Sequence, residues 1–204
     1  MAEQKKVDPT ALGLFGLAIV TLVASSQKLG ITSGYSYVIP WAILLGALAQ
    51  LVAGIWDFKK CNAFGGAAFC AYGFFWMAMG TSWLINMGVL GETLQAAVDA
   101  KQMAFALVGY LVISVFFTIG ASTTNKVLFA IFFCIDLLFL GLVLSIFISD
   151  GPVHSFFHYL AAVSELVIAL LSLYGAGANV VNTQAGRVVF PIGKAFGPLA
   201  SPKK

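Results

Sequence analysis

Polar residues divide this 204-residue chain into six long apolar runs, at about 10–27, 38–56, 63–87, 103–121, 127–149 and 155–180. A membrane-crossing helix needs about 20 consecutive, mostly apolar residues, and each run comes close to or exceeds that length. In hydrocarbon the backbone must satisfy its own hydrogen bonds, so each run is predicted to be a helix. Strands of a membrane barrel would be shorter segments of alternating polarity, and none is visible. The expected fold is an all-α membrane protein of six transmembrane helices. It forms one domain over 1–204, with 1–9 and 181–204 as tails.

Composition agrees. Hydrophobic residues make up 60% of the chain and charged residues 9%, with a mean hydropathy of +0.97. A soluble domain carries about 25% charged residues, so a water-soluble surface is excluded, and no room remains for a catalytic domain outside the bilayer. No Ser/His/Asp, phosphate-loop or metal constellation is present, so neither an enzyme nor a bound cofactor or metal is expected. A net charge of +3 gives no basic patch for nucleic acid. Cys61, Cys70 and Cys134 are odd in number and far apart, unlike a disulfide framework or a C-x-x-C pair. The first run lacks a small-residue cleavage site and reads as a retained span.

Basic residues orient the bundle. With the N-terminus in the cytoplasm, that side holds nine of them: Lys5, Lys6, Lys59, Lys60, Lys126, Arg187, Lys194, Lys203 and Lys204. The other side holds Lys28 and Lys101. Both tails are therefore expected in the cytoplasm, with the protein in the plasma or inner membrane. Three runs that start on that side follow Asp8-Pro9, Asn62 and Asn125. Asp and Asn favour the N-cap and Pro the first helical position. Three positive helix ends at one mouth would either be ordinary caps or favour an anion there.

Small residues lie in stripes. Ala42, Gly46, Gln50 and Gly54 recur every four residues in the second run, with Gly13 and Gly16 in the first and Gly66, Gly73 and Gly80 in the third. Such stripes let membrane helices approach closely, and a pore lined by backbone is the sharper alternative. Phe69, Tyr72, Trp76, Met79 and Trp83 share one face of the third run. Tyr72 stands out, because a hydroxyl at mid-membrane needs a partner.

Asp8-Pro9-Thr10-Ala11-Leu12-Gly13-Leu14-Phe15-Gly16-Leu17 resembles the opening signature of the acetate uptake transporter family, which includes succinate–acetate permeases and fungal acetate permeases. Ala49-Gln50-Leu51-Val52-Ala53-Gly54-Ile55-Trp56-Asp57-Phe58-Lys59-Lys60 is similar to a second family segment, where the acid is Glu. Asn62-Ala63-Phe64-Gly65 and Tyr72-Gly73-Phe74-Phe75-Trp76 follow in family order, and Asn182, Gly186-Arg187 and Pro191-Ile192-Gly193 resemble the closing pattern. The resemblance implies a six-helix protomer of a homo-hexameric ring, with a path for acetate and similar small carboxylates through each protomer. It implies a hydrophobic constriction at Leu17, Tyr72 and Ile135. It also offers Asp8, Pro9, Thr10, Gln50 and Asn62 as substrate-binding candidates. Two positions depart from the pattern: Asp8 replaces the family Asn and Ala11 its second Pro. Asp8 is then either a structural cap or a protonatable gate.

The pattern does not account for Asp136 and Glu165. Both fall near the middle of their runs, where a charge is costly and acids commonly mark ion or proton pathways. No Lys or Arg lies within the runs to pair with them. The two acids are expected to be level on neighbouring helices, either as a proton-coupling pair or as neutral structural acids. His154 and His158, four residues apart, are read as interfacial packing rather than a metal site. The sequence thus indicates a carboxylate transporter, with protons as a candidate co-substrate. The alternative is a passive hexameric channel for acetate or for small neutral solutes such as urea.

Overall fold

The computed structural model describes residues 8–197 and Leu199. Lys5, Lys6, Lys203 and Lys204 lie outside the described residues. Six helices are long and apolar enough to cross a membrane: α1 (Thr10–Lys28), α2 (Val38–Lys59), α3 (Ala63–Asn86), α4 (Ala100–Ala121), α5 (Lys126–Phe147) and α6 (Gly151–Ala185). A short helix, Glu92–Ala96, lies exposed between α3 and α4. No strand occurs among the described residues.

Helix starts follow the predicted chemistry. Asn62 Oδ1 accepts the Gly65 N–H (3.2 Å) and Asn125 Oδ1 accepts the Leu128 N–H (2.9 Å). Asp8 Oδ1 accepts the Thr10 N–H at 3.0 Å, while Pro9 occupies the cap position of α1. The last helix is longer than its apolar run. It has 35 residues, about 52 Å at 1.5 Å per residue, against a hydrocarbon core of about 30 Å. Outside the core a helix no longer needs apolar side chains, so α6 continues through Asn179 and Asn182 to Ala185. The helix ends at Ala185, and Gly186 caps it at φ 64°.

The chain then turns back on itself. Asn182 Oδ1 accepts the N–H groups of Val189 (2.7 Å) and Phe190 (2.9 Å), and its amide donates to Phe190 O (2.8 Å). The Tyr174 hydroxyl donates to Pro191 O (2.7 Å). The Val127 N–H reaches Ile192 O (3.2 Å), and the Phe196 N–H reaches Ser122 O (2.9 Å). The closing sequence block is therefore a strap that ties the end of α6 to the α4–α5 turn.

α1 sits between α2 and α6, α5 between α4 and α6, and α2 pairs with α3. Small residues set the closest approaches, because lipid supplies no hydrophobic force between helices and packing must hold them. A Cβ on Gly16 would collide with the Leu45 carbonyl, one on Gly54 would come within 3.0 Å of Gly66 O, and one on Gly73 within 3.1 Å of Ala47 O. Leu45 and Ala47 lie in a π-helical stretch of α2, Ala42–Ala49. On the other side, α3 faces α4 and α5 across a wider gap filled by rings. Phe75 lies 5.3 Å from Phe139 and 5.1 Å from Tyr110 between centroids, both edge-on.

Gly141 tests this packing rule. Its missing Cβ would meet Phe157 O at 2.7 Å and Ala161 N at 2.8 Å, both backbone atoms of α6, whereas Gly109 has nothing within 4 Å. Gly141→Ala should destabilise the purified protein by about 1–3 kcal/mol, read as a lower midpoint of thermal unfolding in detergent. Gly109→Ala should be neutral or slightly stabilising.

Candidate functional site

A cavity of about 380 Å³ lies at the end of the bundle that carries the starts of α1, α3 and α5. Its polar rim is built from Thr10, Asp57, Asn62, Thr123 and Thr124, while Leu14, Leu17, Phe69, Ile131 and Ile135 are among its apolar walls. The topology explains this placement. Asp57 and Asn62 flank the tight α2–α3 turn, in which the Asn62 N–H donates to Asp57 O at 2.9 Å. Thr123 and Thr124 sit in the α4–α5 turn held by the C-terminal strap. Deeper in, the walls are hydrocarbon and aromatic apart from Gln50 and the Tyr72 hydroxyl.

Leu17, Tyr72 and Ile135, the positions the resemblance offers as a constriction, lie in the wall of one cavity. They come from α1, α3 and α5, and all are buried, at 5%, 4% and 3% exposure. Tyr72 finds the partner its depth demands: its hydroxyl donates to Ser114 Oγ on α4 at 2.9 Å. Its ring is fixed by Phe117, Phe132 and Phe139, with centroids 6.0, 5.9 and 6.4 Å away. Such a ring is held on all sides rather than free to swing.

Thr10, Gln50 and Asn62 also line the cavity, whereas Asp8 and Pro9 do not. Asp8 is exposed and lies 3.9 Å from Lys60 Nζ. Gln50 is fully buried. Its Nε2 donates to Gly46 O at 2.8 Å, and its Oε1 has no partner. Two helical turns on, Asp57 is 1% exposed, with neither carboxylate oxygen partnered. The Asp57 carboxylate and the Asn62 amide crowd against Gly65, where any Cβ would strike both.

Asp136 and Glu165 are not a pair. Asp136 turns towards α4, where the Thr118 hydroxyl donates to its Oδ2 at 2.6 Å. Glu165 turns towards α1 and accepts from Lys28 Nζ at 2.9 Å. The expectation that no Lys or Arg was available to these acids is thus corrected. Lys28 belongs to the last turn of α1, but its long stem brings the ammonium to a carboxylate only 2% exposed. Neither acid lines the cavity. His154 and His158 donate to backbone carbonyls: the first at 2.8 Å to Ile148 O, the second at 3.0 Å to Lys28 O. His158 thus ties α6 to the end of α1, and His154 ties it to the end of α5.

Residue patterns alone did not single out Asp57, Ser114 or Lys28. Asp57 looked like a polar break at the end of a run, although its place two turns after Gln50 on a small-residue face was a usable signal. Ser114 and Lys28 gave none, because their partners are 42 and 137 residues distant.

The model of the GPR1/FUN34/yaaH family matches residues 1–195. The chain is 29% identical over 195 residues to the Succinate-acetate/proton symporter SatP of Escherichia coli (strain K12), covering 96% of this chain and 100% of that protein. It is 29% identical over 184 residues to the Ammonia transport outward protein 2 of Saccharomyces cerevisiae, covering 88% of this chain and 64% of the relative. A solved structure described as the bacterial acetate channel SatP superposes with a TM-score of 0.83 at 30% identity, covering 93% of this chain and 100% of that one.

The Lys28–Glu165 pair yields a stability test. A buried carboxylate stripped of its only cation is strongly unfavourable, whereas removing both charges together is far milder. Lys28→Met should cost about 3 kcal/mol, seen in thermal unfolding, and Lys28→Met/Glu165→Gln should recover most of it. A double variant as unstable as the single one would show that the ion pair is not the source of the loss.

Proposed function

The chain belongs to the GPR1/FUN34/yaaH family, and from that premise we propose that it is a membrane transporter that passes acetate and similar small carboxylates through the cavity of each protomer. The observation that carries this reading is the cavity's form. A polar rim near the starts of three helices opens into a mostly apolar chamber whose lining includes Leu17, Tyr72 and Ile135. A small carboxylate has the same two-part chemistry: a polar head for the rim and a methyl group for the chamber. Asn62 and Thr10 offer donors at the rim, and positive helix ends favour the head group there. A strongly hydrated or bulky solute would have to shed water against hydrocarbon and a fixed tyrosine, which is costly.

By the charge bias, both tails and the cavity face the cytoplasm. Trp41, Trp56, Phe58 and Phe74 are all more than 40% exposed on α2 and α3. With the small-residue faces, they supply surface for protomers to assemble, and a hexamer is the assembly we infer. The sized mass of the particle in mild detergents tests this, and a monomer throughout would refute it.

The names of the relatives point to different solutes, acetate for one and ammonia for another, and this sets the test of the reading. Purified protein in liposomes at mildly alkaline pH should speed entry of labelled acetate over protein-free vesicles, with propionate competing. Passage of ammonium or urea with no acceleration of acetate would refute it. In the same assay Tyr72→Ala should widen the path and admit larger acids, whereas Tyr72→Phe should keep the barrier and lose only the bond to Ser114. Unchanged selectivity in both variants would remove Tyr72 from the path.

A further inference from the structure

Behind Tyr72 lies a chain of buried polar groups that the cavity does not touch. Tyr72 lines the cavity, whereas Ser114, Thr118 and Asp136 do not. The Tyr72 hydroxyl gives its one hydrogen to Ser114 Oγ at 2.9 Å. Ser114 is fully buried, so its own hydrogen needs an acceptor. Hydroxyls within helices commonly turn back to a carbonyl three or four residues earlier, as Thr21, Ser25 and Thr118 do here. Among the described residues Ser114 makes no such bond, and its hydroxyl instead meets Tyr72.

Asp136 is the group able to hold Ser114 away from its own helix. Ser114 and Thr118 are four residues apart, so they share one face of α4, and α4 packs on α5. The Thr118 hydroxyl reaches Asp136 Oδ2 at 2.6 Å and fixes the carboxyl group. Asp136 Oδ1 is buried with no closer partner, and the Ser114 hydroxyl is the carboxyl group's other hydrogen-bonding neighbour. An oxygen that only accepts gives the chain a direction: Tyr72 donates to Ser114, and Ser114 donates to Asp136. The neighbouring phenol does not compete, because the Tyr110 hydroxyl is engaged by Ala71 O at 3.0 Å.

We propose that Asp136 is a positioning residue for the constriction: through Ser114 it keeps the Tyr72 hydroxyl turned out of the path, so that a passing carboxylate meets a tyrosine ring and no donor. The proposal rests on the acetate reading above and adds to it a residue that sets how firmly the solute is held. In a dry constriction a free phenol O–H would make a charge-assisted hydrogen bond to a carboxylate. A conducting path must bind its solute weakly enough to release it. Without Asp136, Ser114 would swing back to a carbonyl of its own helix. The Tyr72 hydrogen, then unpaired, would find the solute instead.

Initial rates of labelled acetate entry into liposomes, at equal pH on both sides and over a range of acetate concentrations, test this. Asp136→Leu keeps the branched shape and removes the acceptor. Its KM and its maximal rate should both fall by about tenfold, the effect of one added charge-assisted bond in the path, with their ratio little changed. Asp136→Asn should keep the wild-type KM, because its carbonyl oxygen can accept from Ser114 while its amide donates to Thr118. Tyr72→Phe has no hydroxyl to release, so adding Asp136→Leu to it should leave both constants where Tyr72→Phe alone puts them. A merely structural role for Asp136 would lower the rate or the yield without tightening KM, and would do so in either background.

An unshifted KM in Asp136→Leu, a shifted KM in Asp136→Asn, or an equal shift in the Tyr72→Phe background would overturn the proposal while leaving acetate as the cargo. A wild type that admits acetate no faster than protein-free liposomes would instead bring down the acetate reading, and the proposal with it. Should Asp136→Leu not fold, Ser114→Ala removes the same link and should show the same joint fall beside an unshifted Asp136→Asn. Any other result from that pair overturns the proposal.

Discussion

In lipid, neighbouring helices gain nothing from hiding apolar surface, so what holds this bundle is contact at backbone distance. Gly16 against Leu45 O, Gly54 against Gly66 O and Gly73 against Ala47 O draw α1, α2 and α3 into one tight wall. The other half has no such glycine seam facing α3. There the space between α3, α4 and α5 is filled by Tyr72, Phe75, Tyr110, Phe132 and Phe139. Rings line the cavity as well, Phe64, Phe69 and Phe132 among them. Tight packing on one side and a looser aromatic filling on the other leave the chamber between them.

The same dry medium governs the polar groups. Several buried hydroxyls bond a carbonyl about one turn back, as Thr21 does to Leu17 O at 2.7 Å, at little cost to the helix. Longer-range polar contacts are few and specific: Tyr72 to Ser114, Thr118 to Asp136, Lys28 to Glu165. Each ties two different helices together at a depth where an unpaired partner would be expensive. Gln50 and Asp57 stand out against this background because their open acceptors face the cavity.

Two of the blocks that carry the family resemblance have a visible architectural part. Asp8-Pro9 starts α1 and keeps its carboxylate at the rim, beside Lys60. The closing block folds as a strap, with Asn182 clamping Val189 and Phe190, and Phe196 reaching the α4–α5 turn. That turn presents Thr123 and Thr124 to the cavity, so the strap holds part of the rim from behind.

The one-dimensional pattern was enough for six helices, their caps at Asn62 and Asn125, the small-residue faces and the need for a partner at Tyr72. These are local consequences: runs of apolar residues, capping chemistry and glycine spacing act within a few turns of their own helix. The family resemblance brought in Leu17 and Ile135. The pattern was not enough to say who neighbours whom. α1 packs on α6, and only that contact brings Lys28 to Glu165 and separates Glu165 from Asp136. Nor did it single out Asp57, which reads as a polar break until the α2–α3 turn buries it at the cavity wall with both oxygens unmatched. Pairings between residues dozens or hundreds of positions apart leave no periodic trace in a chain, because they depend on which helix faces which. That choice is made by the sum of close backbone approaches across the whole bundle, and only the tertiary structure contains it.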